Sequence, residues 1–270
     1  MRTLLKNLRP VEHGSWGLFL VPLFVGVLAG PVYPLGFLLL FTSALGIFLL
    51  RRPMLHWLHA FNRQSLDHIT VEWPGKEVGL CSLMFIGGGL PLVLMGRWLL
   101  LYVFGLAAFL IWSEVYLSYW RQKYQIVAEL VEVFVLCLLA PSAYYVSTGR
   151  LDRIALTLFV LCTVYFSVTV CAVRLRIAQI RAARGGGELD AVDERYREFW
   201  IVTVTSSVAV LLLMAQHWIR PIALLAFTPL LLRIFGPEVL EVSSPRYIRS
   251  LGWREVWYSI GFALATVLLV

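Results

Sequence analysis

The chain has 270 residues, of which 60% are hydrophobic and 14% charged, with a formal net charge of +7. Soluble globular domains carry about 45–50% apolar and about 25% charged residues. The composition leaves no room for a separate soluble domain and implies one integral-membrane helical domain over residues 1–270.

The first apolar run opens with "RPVEHGSWGLFLVPLFVG", Arg9 to Gly26, which sets Glu12, His13 and Trp16 at its threshold. A glutamate suits a helix N-terminus and a tryptophan suits a membrane interface. Gly14, Gly17 and Gly26 permit close helix contact, which would bury this end among neighbours. Glu12 and His13 therefore read either as an anchor or as the lining of a site, with the arginine-rich segments as partners. Arg2, Lys6, Arg9 and the Val27-Leu28-Ala29 stretch loosely resemble a signal peptide. Pro22 interrupts the run and more spans follow, so an uncleaved first helix is expected.

Nine apolar segments follow in order, at about 14–30, 34–50, 77–95, 98–118, 125–147, 153–173, 199–217, 219–235 and 253–270. Each approaches the roughly 17–25 residues that a helix needs to cross a bilayer. Helices are expected throughout, because backbone groups in lipid must bond within their own segment. With the N-terminus in the cytoplasm and nine alternating crossings, nineteen lysines and arginines fall on the cytoplasmic side. Only Arg97, Arg150, Arg153 and Arg220 fall on the other. That asymmetry predicts a multi-pass protein of the cell inner (cytoplasmic) membrane. The positive charge is a topology signal and gives no reason to expect nucleic acid as a partner.

Two stretches, 51–76 and 174–198, read as long cytoplasmic loops after the second and sixth spans. The first carries Arg51, Arg52, His56, His59 and His68. Its histidines read as interfacial packing with Trp57, Phe61 and Trp73, or as metal ligands with His13. The fifth span carries Glu129 and Glu132, spaced i, i+3 on one face, with Arg121 and Lys123 just before them. A charge at a helix centre costs roughly 2.5–3.5 kcal/mol on the insertion scale, so this group is either an ion-pair cluster or a polar cavity wall. The second stretch opens with Arg174, Arg176, Arg181 and Arg184. Snorkelling anchors and a phosphate clamp both fit them. Asp190-x-x-Asp193 follows the Gly185-Gly186-Gly187 hinge, and carboxylates there could hold magnesium against a diphosphate, or simply be solvated. Cys81, Cys137, Cys162 and Cys171 all lie in apolar segments without ligand spacing, so neither disulfides nor zinc are expected.

"RPVEHGSWGLFLVPLFVG" resembles the signature of YwiC-like membrane proteins, an acid- or amide-led His-Gly-Ser/Ala-Trp stretch before an apolar run with proline and glycine. "YWRQKYQIVAELVEVF" resembles that family's basic step before span five, and "VCAVRLRIAQIR" its basic end of span six. "RSLGWREVWYSIGFAL" resembles the Gly-x-x-Glu start of its last span, here Gly252 and Glu255. The arrangement in turn resembles the UbiA-type prenyltransferases, which implies an isoprenoid diphosphate held through magnesium by Asp-rich motifs after spans two and six. This chain departs from those motifs, with only Asn62 and Asp67 in the first place and a DxxD at Asp190 and Asp193 in the second.

The expected fold is thus an all-α polytopic bundle, UbiA-like, with about nine transmembrane helices and a polar cavity open to the cytoplasm. Glu12, His13, Arg51, Arg52, Arg121, Lys123, Glu129, Arg174 and Arg176 are expected to converge there on a substrate, with Asp190 and Asp193 as candidate magnesium ligands. The expected partners are membrane lipid and an isoprenoid or other phosphate-headed lipid, either transferred or merely bound. The alternatives are an assembly subunit of a membrane complex, or a small-anion permease whose far-side residues would be Asp152, His217 and Arg220.

Overall fold

The computed structural model describes residues 13–67, 75–120, 125–183, 189–219, 221–235 and 245–269. Among them the regular elements are all helical: α1 (His13–Leu28), α2 (Pro34–Asp67), α3 (Gly75–Leu94), α4 (Leu99–Trp120) and α5 (Gln125–Cys137). They continue with α6 (Leu139–Thr148), α7 (Arg153–Ala183), α8 (Leu189–Ala215), a 3-10 stretch (Pro221–Phe227), α9 (Thr228–Phe235) and α10 (Pro245–Leu269). Four stretches, Gly75–Leu94, Ile126–Thr148, Arg153–Ala182 and Val192–Ala215, are long and apolar enough to cross a membrane. Shorter apolar helices accompany them at Trp16–Leu28, Pro34–Leu50, Leu99–Ser113 and Pro221–Leu231. The outward faces of α3, α4 and α8 are apolar, with Leu83, Leu94, Tyr102, Phe109, Trp112, Ile201 and Val204 all exposed. Soluble monomers rarely expose a contiguous surface of this kind, and lipid is the solvent that suits it.

Two expectations are corrected. The stretches 51–76 and 174–198, expected as loops, are largely helix. α2 runs on to Asp67 and α7 to Ala183, while α8 already starts at Leu189. Hydropathy marks where apolar character ends, which is not where a helix ends. Leu, Met, Gln, Ala and Arg beyond Arg52 and Arg174 are good helix formers. Pro53 removes a single backbone donor and α2 absorbs the loss. The segment 219–235 is not one regular helix but the 3-10 stretch followed by eight residues of α9. Pro229 has no N–H to continue a ladder from the preceding turn, and it fits the first turn of a new helix. The fifth segment breaks at Leu138, because Pro141 offers no donor to the Cys137 carbonyl. The Leu138 N–H is shared between the carbonyls of Phe134 and Val135, each at 3.2 Å.

Small residues set the close contacts, as expected where helices gain little from hydrophobic exclusion. α2 and α3 form an antiparallel hairpin in which Gly46 lies against the backbone of Cys81 and Phe85, and Gly88 against that of Leu39 and Ser43. Ser43 Oγ donates to the Phe85 carbonyl at 3.1 Å, tying the same seam. α1 runs parallel to α6, with Gly26 against Ala140 and Gly30 against Ser147 and Thr148. The main core gathers α1, α5, α6, α7 and α10 around Tyr165, Phe166 and Phe262, all about 1% exposed or less. Tyr165 and Phe262 stack there with ring centroids 3.9 Å apart.

Candidate functional site

The two ends of the bundle differ in what their polar groups do. At the end formed by the α6–α7 turn, polar side chains build the turn itself. Asp152 Oδ1 accepts from the N–H groups of Ile154 and Ala155, at 3.0 and 3.3 Å, and so caps α7. Asp152 Oδ2 accepts from the Tyr144 hydroxyl at 3.1 Å. Arg153 Nη2 donates to the Gln216 carbonyl at 3.0 Å, and its guanidinium lies over Trp218. Arg97 lies over the Tyr145 ring. His217 holds a left-handed backbone (φ 56°) in the turn that ends α8. Arg220 is outside the described residues. These are architectural duties. Asp152→Ala should cost about 1–2 kcal/mol through the lost cap, whereas Asp152→Asn should retain most of it. Thermal denaturation of the two variants side by side checks this.

At the other end the helix registers bring the backbone of His13, Arg51 and Arg52 and the turn that carries Glu129 to one level. Running α1 and α6–α5 back about thirteen residues, ~20 Å, from the Gly26–Ala140 contact sets His13 level with the turn that carries Glu129. On α2, Phe48 stacks on Phe19 with centroids 4.9 Å apart and meets Trp16 at 5.5 Å. Arg51 and Arg52 follow within one turn, so their backbone lies level with the start of α1. Glu12, Arg121 and Lys123 lie outside the described residues; His13, Arg51, Arg52 and Asp190 are placed by their helices alone.

Glu129 on α5 and Arg174 on α7 are brought together. Arg174 Nη1 lies 2.5 Å from Glu129 Oε2, with the two side chains 13% and 29% exposed. The contact is a charge pair that ties α5 to α7. Across the α7–α8 hairpin, Arg195 Nη1 donates to both oxygens of Glu198, at 2.9 and 2.8 Å. The buried Cys171 thiol, one turn before Arg174, is within electrostatic reach of Glu198, Arg174, Glu129 and Arg195. Two ion pairs thus make one cluster around it. The sequence reading missed Arg195, Glu198 and Cys171. The available signal was an i, i+3 Arg–Glu pair at the head of an apolar run.

Other expectations fare differently. Arg176 is half-buried and lies about 200° round α7 from Arg174, so it joins neither pair. Glu129 and Glu132, expected on one face, serve different gaps: Glu129 meets α7, while Glu132 lines a groove with α2 and α4. Three residues still separate two side chains by about 60° around a helix, enough to address two neighbours. Asp190 and Asp193 sit on the first turns of α8, where acids favour the helix dipole, and Asp193 is exposed. Among the described residues no group of three or more His, Cys, Asp or Glu side chains is placed to hold a metal ion. His56 and His59 lie on the extension of α2, and His68 outside the described residues. All four cysteines are free and buried.

A family model for YwiC-like protein matches residues 10–144, half of the chain. No curated protein and no solved structure matches it.

Proposed function

The chain belongs to the YwiC-like family, and we propose that it is an inner-membrane bundle that binds a lipid with a phosphate head at its basic, cytoplasmic end. In this reading the chain crosses the membrane nine times in a UbiA-like arrangement. The observation that carries the proposal is Arg174, a largely buried guanidinium paired with Glu129 at the end of the bundle where Arg51 and Arg52 also lie. Arginine suits phosphate oxygens because its planar fork bonds two of them at once. The described pairs, Glu129–Arg174 and Arg195–Glu198, are neutral together, so in this proposal the attraction for an anion comes from Arg51 and Arg52, whose backbone lies at the same level, together with Arg121 and Lys123. Glu12 and His13 complete the rim in this proposal. Holding the head by arginine supports binding. Transfer of the lipid chain would further need charge stabilisation of the leaving group.

The test is a thermal-shift titration with farnesyl and geranylgeranyl diphosphate, each with magnesium and with EDTA. A ligand held by the native state alone stabilises it by RT ln(1 + [L]/Kd), about 2.7 kcal/mol at a hundred times Kd. A dose-dependent rise is expected that persists in EDTA and shrinks in Arg174→Lys, which keeps the charge but loses the fork. No rise under any condition would end this reading. A rise that needs magnesium would return Asp190, Asp193 and a transferase to consideration.

A further inference from the structure

α8 packs mainly against α7, and the side that holds Arg195 and Glu198 is the side within reach of Cys171 on α7. On the opposite side Asp193, Arg197, Trp200, Val204, Val208 and Leu211 recur every three or four residues, and all six are exposed. At 3.6 residues per turn they share one stripe, about 170° round the helix from the Arg195–Glu198 pair. Tyr196 stands beside the stripe, its ring centroid 6.1 Å from that of Trp200 and the two planes at 72°. The buried Phe199 ring meets Trp200 at 5.6 Å and backs it from the bundle. Among the described residues neither Asp193 nor Arg197 takes part in an ion pair.

Glu198 is the last charged residue before the apolar stretch 199–215, so Trp200 stands at the hydrocarbon boundary, where tryptophan is favoured. Asp193 lies ~10 Å outward of it and Arg197 between them, while Leu211 lies ~16 Å inward, half of a core about 30 Å thick. We propose that this stripe binds a phospholipid whose head ends in a primary ammonium, as in phosphatidylethanolamine. The ammonium sits between the Asp193 carboxylate and the Tyr196 and Trp200 rings, the phosphate at Arg197, and one acyl chain along Val204, Val208 and Leu211. Acid, base, ring and apolar residues thus follow the order of ammonium, phosphate, ester and chain in such a lipid. Aromatic faces attract any ammonium, so the carboxylate decides between heads. It accepts the N–H bonds of a primary ammonium, which a quaternary one lacks. An anionic head would satisfy Arg197 but bring like charge toward Asp193 and the exposed Glu194. This site needs only that α8 lies in a membrane; it does not rest on the phosphate-headed ligand proposed above.

The experiment uses the full chain in phosphatidylcholine nanodiscs with a trace of phosphatidylethanolamine that carries a diazirine in its acyl chain. Parallel discs hold tracers of the same chains with choline and glycerol heads. After photolysis, peptide mapping compares residues 200–211 with the lipid-facing residues 83–90 of α3. Relative to that reference, the ethanolamine tracer should label 200–211 about three- to fivefold more than either other tracer, the upper range for an exposed charge pair. Asp193→Ala should remove the advantage over choline. Glu194→Ala deletes the same charge about 100° off the stripe and should keep it. Arg197→Gln should lower the ethanolamine and choline tracers alike, and Arg174→Lys should leave the pattern unchanged. Labelling of 200–211 that is blind to the head group or strongest for glycerol would overturn the proposal. So would an ethanolamine advantage that survives Asp193→Ala, or one that Glu194→Ala removes equally.

Discussion

Replacing Arg174 by alanine is expected to destabilise the protein by about 2–4 kcal/mol. Removing one member of a buried pair typically costs about 3–5 kcal/mol, because the remaining charge is left uncompensated. Glu129 keeps 29% of its surface exposed, so solvent relieves some of that penalty. The double variant Glu129→Gln, Arg174→Ala removes the orphaned charge as well and should recover at least half of the loss. Unfolding in mixed micelles by graded dodecyl sulfate measures all three proteins on one scale. If the double variant is as unstable as Arg174→Ala, the arginine acts through packing, and the ion pair is not what holds α5 to α7.

Gly46→Leu should cost about 3 kcal/mol or more and reduce the folded yield. A Cβ at Gly46 would stand 2.6 Å from the Cys81 carbonyl oxygen and 2.7 Å from the Phe85 nitrogen. Both are backbone atoms of α3 and cannot swing aside as a side chain does. Overpacking a close seam usually costs about 1–3 kcal/mol, and a leucine here would have to push α2 and α3 apart along it. The control lies on the same hairpin. Gly79 has nothing within 4 Å of where a Cβ would be, so Gly79→Ala should be neutral or gain up to about 1 kcal/mol from helix propensity. Melting temperature and size-exclusion profile of the two variants decide it. Equal behaviour at 46 and 79 would mean that α2 and α3 do not approach as closely as described.

The charged cluster shows how much of a site is legible before folding. Glu129 and Arg174 stand out in the sequence because each interrupts an apolar run near its edge, where a charge has a cost and so needs a partner. Arg195 and Glu198 carry no such signal, since they read as belonging to a polar stretch. They matter only because α8 packs along α7 and brings them within electrostatic reach of Cys171. Glu132 is the reverse case. It is conspicuous in the sequence, but its surroundings are set by α2 and α4, whose groove-lining residues lie some twenty or more positions away from it.

Composition and hydropathy determined by themselves that this is a helical, membrane-type protein. Those properties are sums over local residues, and transfer into lipid responds to such sums whatever the helices later touch. The tertiary structure alone decided where the helices end, which way each one faces, and which charges meet. Helix length depends on propensity and breakers as well as hydropathy, which is why α2 and α7 run past their basic boundaries. The angle of a helix about its own axis is set by close contacts such as Gly46 on Cys81 and Gly26 on Ala140. Those contacts join segments dozens of residues apart. Once they fix the rotation of α5, Glu129 turns to Arg174 and Glu132 to the apolar groove, a division that no spacing along the chain expresses.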